Sequence, residues 1–101
     1  MASRLDLHTQ LEEILSSTNV YYQPPESIKL NYPCIIYSLA DIDQIHADNL
    51  DYLQTRRYEL ILIDEDPDSE YVDSILHMQT SRFDRSYASS GLNHFVFSLY
   101  Y

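Results

Sequence analysis

The sequence predicts an α+β domain of two layers, in which a mainly antiparallel sheet of four to five strands carries two helices on one face. Two segments have apolar residues at helical spacing, and several others alternate or are rich in β-branched and aromatic residues. These segments follow one another in the order α-β-β-β-α-β-β, and helices segregated from an antiparallel sheet are typical of this class. A chain of 101 residues is predicted to form a single domain, residues 1–101.

The stretch Arg56–Asp64 is predicted to be the central strand, because it has the densest aliphatic and β-branched content in the chain. Successive side chains of a strand point to opposite faces, and from Leu60 onward both faces of this segment are apolar. We therefore expect a helix to pack on one face and a second surface, such as another subunit, to cover the other.

The first helix is predicted to begin at Ser3, which can cap a helix, with Asp6 three residues later near the positive end of the helix dipole. The polar residues 16–19 are predicted to end it. Its apolar stripe consists of Leu7, Leu11, Ile14 and Leu15.

The second helix is predicted to begin at Asp66 and Pro67, because a capping residue followed by proline is typical of a helix start. The preceding acids resemble the beginning of a calcium loop, but Ser69 and Ile75 stand where that loop requires glycine and glutamate. A solvated helix start is therefore expected. The residues at helical spacing are Val72, Ile75, Leu76 and Gln79.

Further strands are predicted on both sides of the central one, and the charged segment near residue 84 is expected to lie at the outer edge. A turn containing Gly91 precedes the last strand. Residues 40–52 fit neither period and are predicted to form a long loop between antiparallel strands. The predicted strands are Val20–Tyr22, Tyr32–Leu39, Arg82–Tyr87 and Leu92–Tyr101.

The formal net charge of −10, with six lysine and arginine residues in total, argues against direct or sequence-specific nucleic-acid binding. Three explanations of the acidic excess remain open. It can provide solubility, repel DNA that passes the protein, or mimic DNA and occupy a DNA-binding protein. No segment approaches the ~20 apolar residues of a membrane span, so no membrane partner is expected.

Several classes of catalytic site are disfavoured by the residues present. One glycine cannot build a phosphate-binding loop, a dinucleotide fingerprint or a nucleophile elbow. The single cysteine, Cys34, is expected to be a small buried apolar residue. No catalytic residue, cofactor or metal site is predicted, although a small enzyme stays open as an alternative. The histidines, which lack zinc-site spacing, are His8, His46, His77 and His94.

Tyrosine is unusually frequent, with ten residues in a chain whose core is small. Aromatic side chains with a polar tip are enriched at protein–protein interfaces, so part of this set is expected to contact other subunits. Partial burial at the sheet margin is the alternative. The residues predicted to lie at a subunit interface are Tyr21, Tyr87, Tyr100 and Tyr101.

Several short motifs occur in a characteristic order after the first helix and the Pro-Pro turn. They are the runs Tyr32–Tyr37, Ala47–Asn49, Arg57–Leu60 and Asp66–Ser69. In this order of elements the chain resembles the small neck and tail-completion proteins of long-tailed bacteriophages. The most similar architecture is that of the tail terminator family, whose members form rings with an α+β fold.

The resemblance implies a homo-oligomeric ring in the virion neck, hexameric as in that family. It would be made in the cytoplasm of a bacterial host. Such a ring ends the growth of the tail tube and joins it to the head connector, so the implied partners are further copies of the chain, the tail tube protein and head–tail connector proteins. The family has no catalytic residues. The acids expected to face the lumen or a neighbouring ring are Asp41, Asp43, Asp48 and Asp51.

Two alternatives to a tail-side ring are compatible with the sequence. One is a connector or stopper protein on the head side of the neck. The other is an acidic inhibitor that mimics DNA, which requires acids spaced like phosphates on one face.

Overall fold

The computed structural model describes residues 4–45 and 53–101, and within these ranges the chain forms two helices and one five-stranded sheet. The predicted α+β class and the predicted order of elements are confirmed. The elements are α1 (Arg4–Leu15), β1 (Val20–Tyr22), β2 (Cys34–Ile45), β3 (Leu53–Asp64), α2 (Tyr71–Leu76), β4 (Ser81–Ser89) and β5 (Leu92–Tyr100).

The strands are arranged in the order β1-β2-β3-β5-β4, so β3 is the central strand, as its aliphatic content predicts. β1 pairs with β2 in parallel, and the other three pairings are antiparallel. Leu60 lies opposite Tyr37 of β2 and Phe97 of β5. Strand β4 forms the outer edge beside β5, as predicted.

The hydrophobic core lies between the helices and one face of the sheet. Leu7, Leu11 and Leu15 of α1 and Ile75 of α2 are buried there at helical spacing. Burying a side chain of this size stabilises the fold by about 1.5–3 kcal/mol, so these four residues hold the helical layer on the sheet. The sheet contributes Ile35, Tyr37, Tyr58, Leu60, Leu62, Phe97 and Leu99.

Helix α1 ends where the polar cluster predicts. Ser16 has a positive φ of 53°, and its amide donates to the carbonyl of Glu13 at 3.2 Å. The amide of Ser17 donates to the carbonyl of Glu12 at 3.2 Å. These two bonds form a Schellman motif, which satisfies carbonyls that the last helical turn leaves open. The predicted cap at Ser3 lies outside the described residues.

The predicted start of the second helix is wrong, because α2 begins at Tyr71 rather than at Asp66 and Pro67. The carboxylate of Asp64 accepts from the amide of Asp66 at 3.1 Å, and that of Asp66 accepts from the amide of Asp68 at 2.9 Å. Each carboxylate closes a local turn in this way. These turns divert the chain before the helix begins.

The predicted loop at residues 40–52 is also wrong over part of its length, because β2 continues to Ile45 and β3 begins at Leu53. A β-bulge shifts the register between Leu39 and Asp41. The extra residue at Ala40 exchanges the faces to which later side chains point, so no single alternation runs through the strand. Residues 46–52 lie outside the described residues.

The predicted turn before the last strand is confirmed as a tight hairpin between β4 and β5. Ser89 pairs with Leu92, and the two residues between them, Ser90 and Gly91, have φ angles of 54° and 76°. Two positive φ angles are characteristic of the turn type that matches the twist of paired strands. Glycine adopts this conformation without steric cost.

Candidate interaction surfaces

Beyond the five-stranded sheet, β2 and β3 continue as a two-stranded ribbon, which we call the arm. Residues 43–45 pair with residues 53–55, and within the described residues no third strand joins them. At the base of the arm Asp41 is exposed, and its carboxylate accepts from the amide of Ile42 at 2.9 Å. The side chain of Ile42 is 41% exposed.

Of the four acids predicted to face a lumen or a neighbouring ring, Asp41 lies at the base of this arm and Asp43 lies within it. Asp41 and Asp43 belong to strand β2, not to a loop. Asp48 and Asp51 lie outside the described residues. The role of the four acids in assembly stays a prediction. For Asp41 and Asp43 the predicted contact is made by the arm and not by a loop.

Three of the four tyrosines predicted at a subunit interface belong to the face of the sheet that carries no helix, which we call the open face. Tyr21 lies opposite Ile36 in the register, Tyr100 opposite Arg57, and Tyr87 stacks on His94 with 4.7 Å between ring centroids. Tyr87 is 44% exposed and Tyr100 36% exposed. These three side chains are therefore placed where another molecule can contact them.

Tyr101 differs from the other three, because it belongs to the helical side. Its ring packs against the hydrophobic core, and its hydroxyl accepts from the Nε2 amide of Gln10 at 2.8 Å. Its backbone amide donates to the carbonyl of Arg56 at 3.0 Å. Through these contacts Tyr101 helps to hold α1 against the end of the last strand.

The open face has an apolar centre and a charged margin. Val96 and Cys34 are buried, whereas Ile36 and Ile61 remain half-buried without a helix above them. Cys34 is thus the buried apolar residue that the sequence predicts, and burial raises the pKa of its thiol to about 11.

On the same face Arg85 lies 3.9 Å from the carboxylate of Glu59 and 3.9 Å from that of Asp84. All three side chains are well exposed to solvent, so this pairing contributes little to stability. It does neutralise charge next to the apolar centre of the open face.

A buried polar cluster joins α1 to the sheet through the hydroxyl of Tyr37. Arg4 Nη1 donates to this hydroxyl at 3.1 Å, and Nδ1 of His8 shares a hydrogen bond of 2.7 Å with it. The guanidinium of Arg4 lies 4.2 Å from the ring centroid of Tyr22, and Nε2 of His8 is 3.9 Å from Glu12.

A hydroxyl that contacts an imidazole, which in turn contacts a carboxylate, is the arrangement found in a nucleophile activated by a base. Here the hydroxyl belongs to Tyr37, whose side chain is 0% exposed, so no substrate reaches it. Desolvation raises the pKa of Tyr37, more than the Arg4 hydrogen bond and charge lower it. The cluster therefore holds α1 against β2 and keeps the phenol neutral.

The connection from β3 to α2 is strongly acidic, and we call residues 64–73 the acidic turn. It contains six carboxylates and no basic residue. Within residues 4–45 and 53–101, no arginine, lysine or histidine nitrogen lies within 4.0 Å of these six carboxylates. The six are Asp64, Glu65, Asp66, Asp68, Glu70 and Asp73.

A cavity of about 310 Å³ opens at the side of the acidic turn. It is lined by Pro67, Asp68, Ser69, Val72, Asp73 and Phe95. Ser69 is 6% exposed, and its hydroxyl has no hydrogen-bond partner among the described residues. This is the feature that sequence reasoning missed, since the burial of Ser69 depends on how α2 packs and leaves no local signal.

The described histidines occupy separate parts of the fold. His8 belongs to α1, His77 follows α2 and contacts the carbonyl of Asp73 at 2.6 Å, and His94 is on the open face. In the described part of the chain, no group of three or more histidine, cysteine or acidic side chains is arranged to hold a metal ion.

Comparison with known proteins adds no assignment: no family model matches the chain, and no curated protein matches it significantly. Of the helices that the structure describes, neither is long and apolar enough to cross a membrane. The function is therefore argued from the surfaces themselves.

Proposed function

We propose that this protein is a structural component of a bacteriophage neck, forming a ring that completes the tail tube and joins it to the head connector. The observation that carries this proposal is the arm, which extends β2 and β3 beyond the rest of the sheet. The order of elements and the short motifs that resemble tail terminator proteins support it independently.

The arm favours contact with another molecule for a physical reason. Residues 43–45 and 53–55 pair only with one another among the described residues, so both outer edges of the ribbon keep backbone donors and acceptors open. A two-stranded ribbon in water is marginally stable by itself. Seating the ribbon against a neighbouring copy or a partner protein supplies the missing contacts.

The open face supports the same proposal. It places Tyr21, Tyr87 and Tyr100 around half-buried Ile36 and Ile61, with no helix above them. A partly apolar surface with aromatic anchors and a charged margin is typical of interfaces between proteins that fold separately.

The distribution of acids favours a ring over a DNA mimic. Glu12 and Glu13 lie on α1, Glu59 lies on the open face, and six further carboxylates lie in the acidic turn. A DNA mimic needs its acids aligned on one surface, whereas these occupy both layers of the domain. In a ring, those acids that face the channel would repel passing DNA and so would not hold it.

The cluster around Tyr37, which most resembles a catalytic site, also supports a structural role. The hydroxyl of Tyr37 is buried and bonded on both sides, by Arg4 and by His8. The attachment of α1 to the sheet explains the geometry of this cluster. The cluster therefore supports an enzyme less than it supports a protein that docks on other proteins.

The experiment adds the purified protein to tail tubes that are still growing and measures tube length and end structure by electron microscopy. We expect tubes of limited length with a ring at one end. Tubes that grow as they do without the protein, with bare ends, would refute a terminating role. A parallel incubation with filled heads separates the two sides of the neck, since a head-side connector binds heads without binding tubes.

A further inference from the structure

The outer edge of β2 is open where the strand continues into the arm. β1 covers only three residues of this edge, whereas β2 continues to Ile45. Beyond β1, the amide of Leu39 donates to the side chain of Gln23 at 3.2 Å, and the amide of Ile42 donates to the carboxylate of Asp41 at 2.9 Å. Side chains thus take the place of a neighbouring strand, and no strand of the described residues occupies this edge. Such an edge can pair with a strand of another molecule.

Strand β4 forms the opposite edge of the same sheet. All of its residues after Ser81 are exposed, and it contains no lysine or proline, which commonly protect an edge from pairing. A bulge at Asp84 interrupts its register with β5. Because β4 and the outer edge of β2 lie on the two sides of the sheet, a contact between them joins two copies of the chain.

The directions of the two strands suit such a contact. Three successive antiparallel pairings separate β2 from β4, so these strands run in opposite directions within one copy. When copies follow one another with the same orientation, β4 of one copy therefore runs antiparallel to β2 of the next. Antiparallel pairing needs no crossover and extends the sheet from copy to copy.

Charge complementarity selects one register for this pairing. Arg82 and Arg85 both pair with open-face residues of β5, because the bulge at Asp84 places them on the same side. Asp41 lies on the open face of β2, and Asp43 follows it two residues later. If Asp41 is opposite Arg85 and the bulged residue is passed over, Asp43 comes opposite Arg82. Moving the strands to the next position on the same face, in either direction, leaves only one pair of opposite charges.

The same register joins two exposed apolar residues on the helical side of the sheet. Phe83 of β4 is 45% exposed, and its ring centroid lies 5.6 Å from that of Phe97 in the core. Ile42 of β2 is 41% exposed and alternates with Asp41, so it lies on the helical side as well. Between the two charge pairs Phe83 comes opposite Ile42, and the pairing removes apolar surface of both residues from water.

The other basic residues of the chain do not lie on an open edge. Two belong to β3, which has β2 on one side and β5 on the other. A third precedes β2 in the connection from β1, and a fourth begins α1. Arg82 and Arg85 are therefore the only basic residues on an edge strand of the described sheet. The four others are Arg4, Lys29, Arg56 and Arg57.

The charged residues are free to form new pairs. No carboxylate of the described residues lies within 4.0 Å of Arg82. Arg85 lies 3.9 Å from Glu59 and from Asp84, and pairs as exposed as these contribute little to stability. Asp41 accepts from the amide that follows it and forms no ion pair with a described residue. Pairing between copies therefore breaks no strong contact.

We propose that β4 of one copy pairs in antiparallel fashion with β2 of the next copy, at the base of the arm and along it. This inference rests on the self-association part of the proposed function and specifies its contact. Because the two edges differ, the contact is head-to-tail, and such contacts close into rings when the rotation between copies permits it. The paired residues are Arg85 with Asp41, Arg82 with Asp43, and Phe83 with Ile42.

Disulfide trapping tests the register. The native cysteine, Cys34, is buried and therefore adds little background. Under mild oxidation, Asp43→Cys combined with Arg82→Cys is expected to give a ladder of linked copies on non-reducing gels, because each copy contributes to two contacts. Asp43→Cys combined with Ser89→Cys is the matched control. Its second cysteine lies at the far end of β4, so this variant is expected to remain unlinked.

Charge reversal tests the contact without a covalent bond. Arg82→Asp with Arg85→Asp reverses β4, and Asp41→Arg with Asp43→Arg reverses the edge of β2. Each variant alone is expected to self-associate at least about tenfold more weakly in sedimentation velocity, because like charges then face each other. Mixed in equal amounts, the two are expected to associate as the wild type does, with copies alternating, since each variant opposes the charges of the other.

Glu13→Arg with Glu26→Arg is the control for charge reversal. Both residues are exposed and lie outside the two edges, and the net charge changes as it does in the β2 variant. The control is expected to associate as the wild type does. Melting temperatures within a few degrees of the wild type show that each variant is folded.

The outcomes distinguish this contact from the wider proposal. Wild-type rings that form equally well when β4 is reversed, or a cysteine pair that links no more than its control, would overturn the contact and leave the ring function standing. A mixture of the two folded reversal variants that does not associate would also contradict the contact. A wild-type protein that remains monomeric with and without tail tubes would overturn both proposals.

Discussion

At the residue scale, the hydroxyl of Tyr37 connects the two layers of the domain. It accepts from Arg4 and is hydrogen-bonded to His8, and the ring of Tyr37 lies 4.8 Å from that of Tyr22 and 6.1 Å from that of Tyr58 between centroids. The apolar stripe of α1 thus holds the helix on the sheet, and this polar cluster fixes its position along the strand.

Tyr37→Phe tests this account of α1. The substitution keeps the ring and removes the hydroxyl that bonds Arg4 and His8, so we expect the free energy of unfolding to fall by about 1–2 kcal/mol in urea titrations. Tyr87→Phe is the control, because Tyr87 is exposed and its change is expected to stay within about 0.5 kcal/mol. Equal losses in the two variants would contradict a special role for the Tyr37 hydroxyl.

Cys34 predicts a stability change at alkaline pH. Its pKa is raised from 9.0 to about 11 in the folded protein, so the unfolded thiol ionises first. Stability from this residue is complete below pH 9 and is lost as the pH rises towards 11, by about 2–3 kcal/mol in total. Urea titrations between pH 8 and 11 should show a shallower decline for Cys34→Ala than for the wild type. Parallel curves would contradict it.

At the element scale, strongly apolar segments predict well, and a local side-chain bond and a β-bulge cause the errors. The aliphatic run through Leu60 identifies the central strand because its burial depends on hydrophobicity alone. Asp66 is a good capping residue, but it closes a turn with the amide of Asp68 instead. The bulge at Ala40 interrupts the period of β2, so the strand reads as a loop.

The candidate site residues likewise divide into those that the sequence identifies and those that it does not. The exposed tyrosines and the acid Asp41 could be recognised from composition and position, because surface residues need no long-range contact to stay exposed. Ser69 could not be recognised, since its burial results from the packing of α2 beside α1 and β4.

The end of β5 offers a matched pair of substitutions. Tyr101 packs against the core and accepts a bond from Gln10, whereas Tyr100 is 36% exposed on the open face. Tyr101→Ala is expected to lower the free energy of unfolding by about 2–4 kcal/mol. Tyr100→Ala is expected to cost less than about 1 kcal/mol and to weaken self-association, measured by sedimentation velocity. The reverse pattern would show that Tyr100 is the structural residue.

Charge reversal on the arm tests its role in assembly. Asp41→Lys combined with Asp43→Lys is expected to leave the melting temperature within a few degrees and to reduce attachment to tail tubes at least about tenfold, because repulsive contacts replace the native ones. Glu13→Lys with Glu26→Lys is the control, since both residues are exposed and lie outside the arm. Attachment that is equal in the two double variants would remove the arm acids from the assembly contact.

At the scale of the whole molecule, the surfaces form a directional domain. The helical side carries the cavity at the acidic turn, the open face carries Arg82 and three tyrosines, and the arm extends one end of the sheet. The described chain is elongated, with extents of 53 × 26 × 23 Å. Different surfaces on opposite sides suit repeated head-to-tail contact better than a symmetric pair.

The most direct test of this account is the solution mass of the purified protein, measured by light scattering over a wide concentration range, alone and after mixing with tail tubes. The account predicts a closed ring of several copies, formed either by the protein alone or on the tube ends. A single copy at every concentration, with no mass added to the tubes, would contradict it.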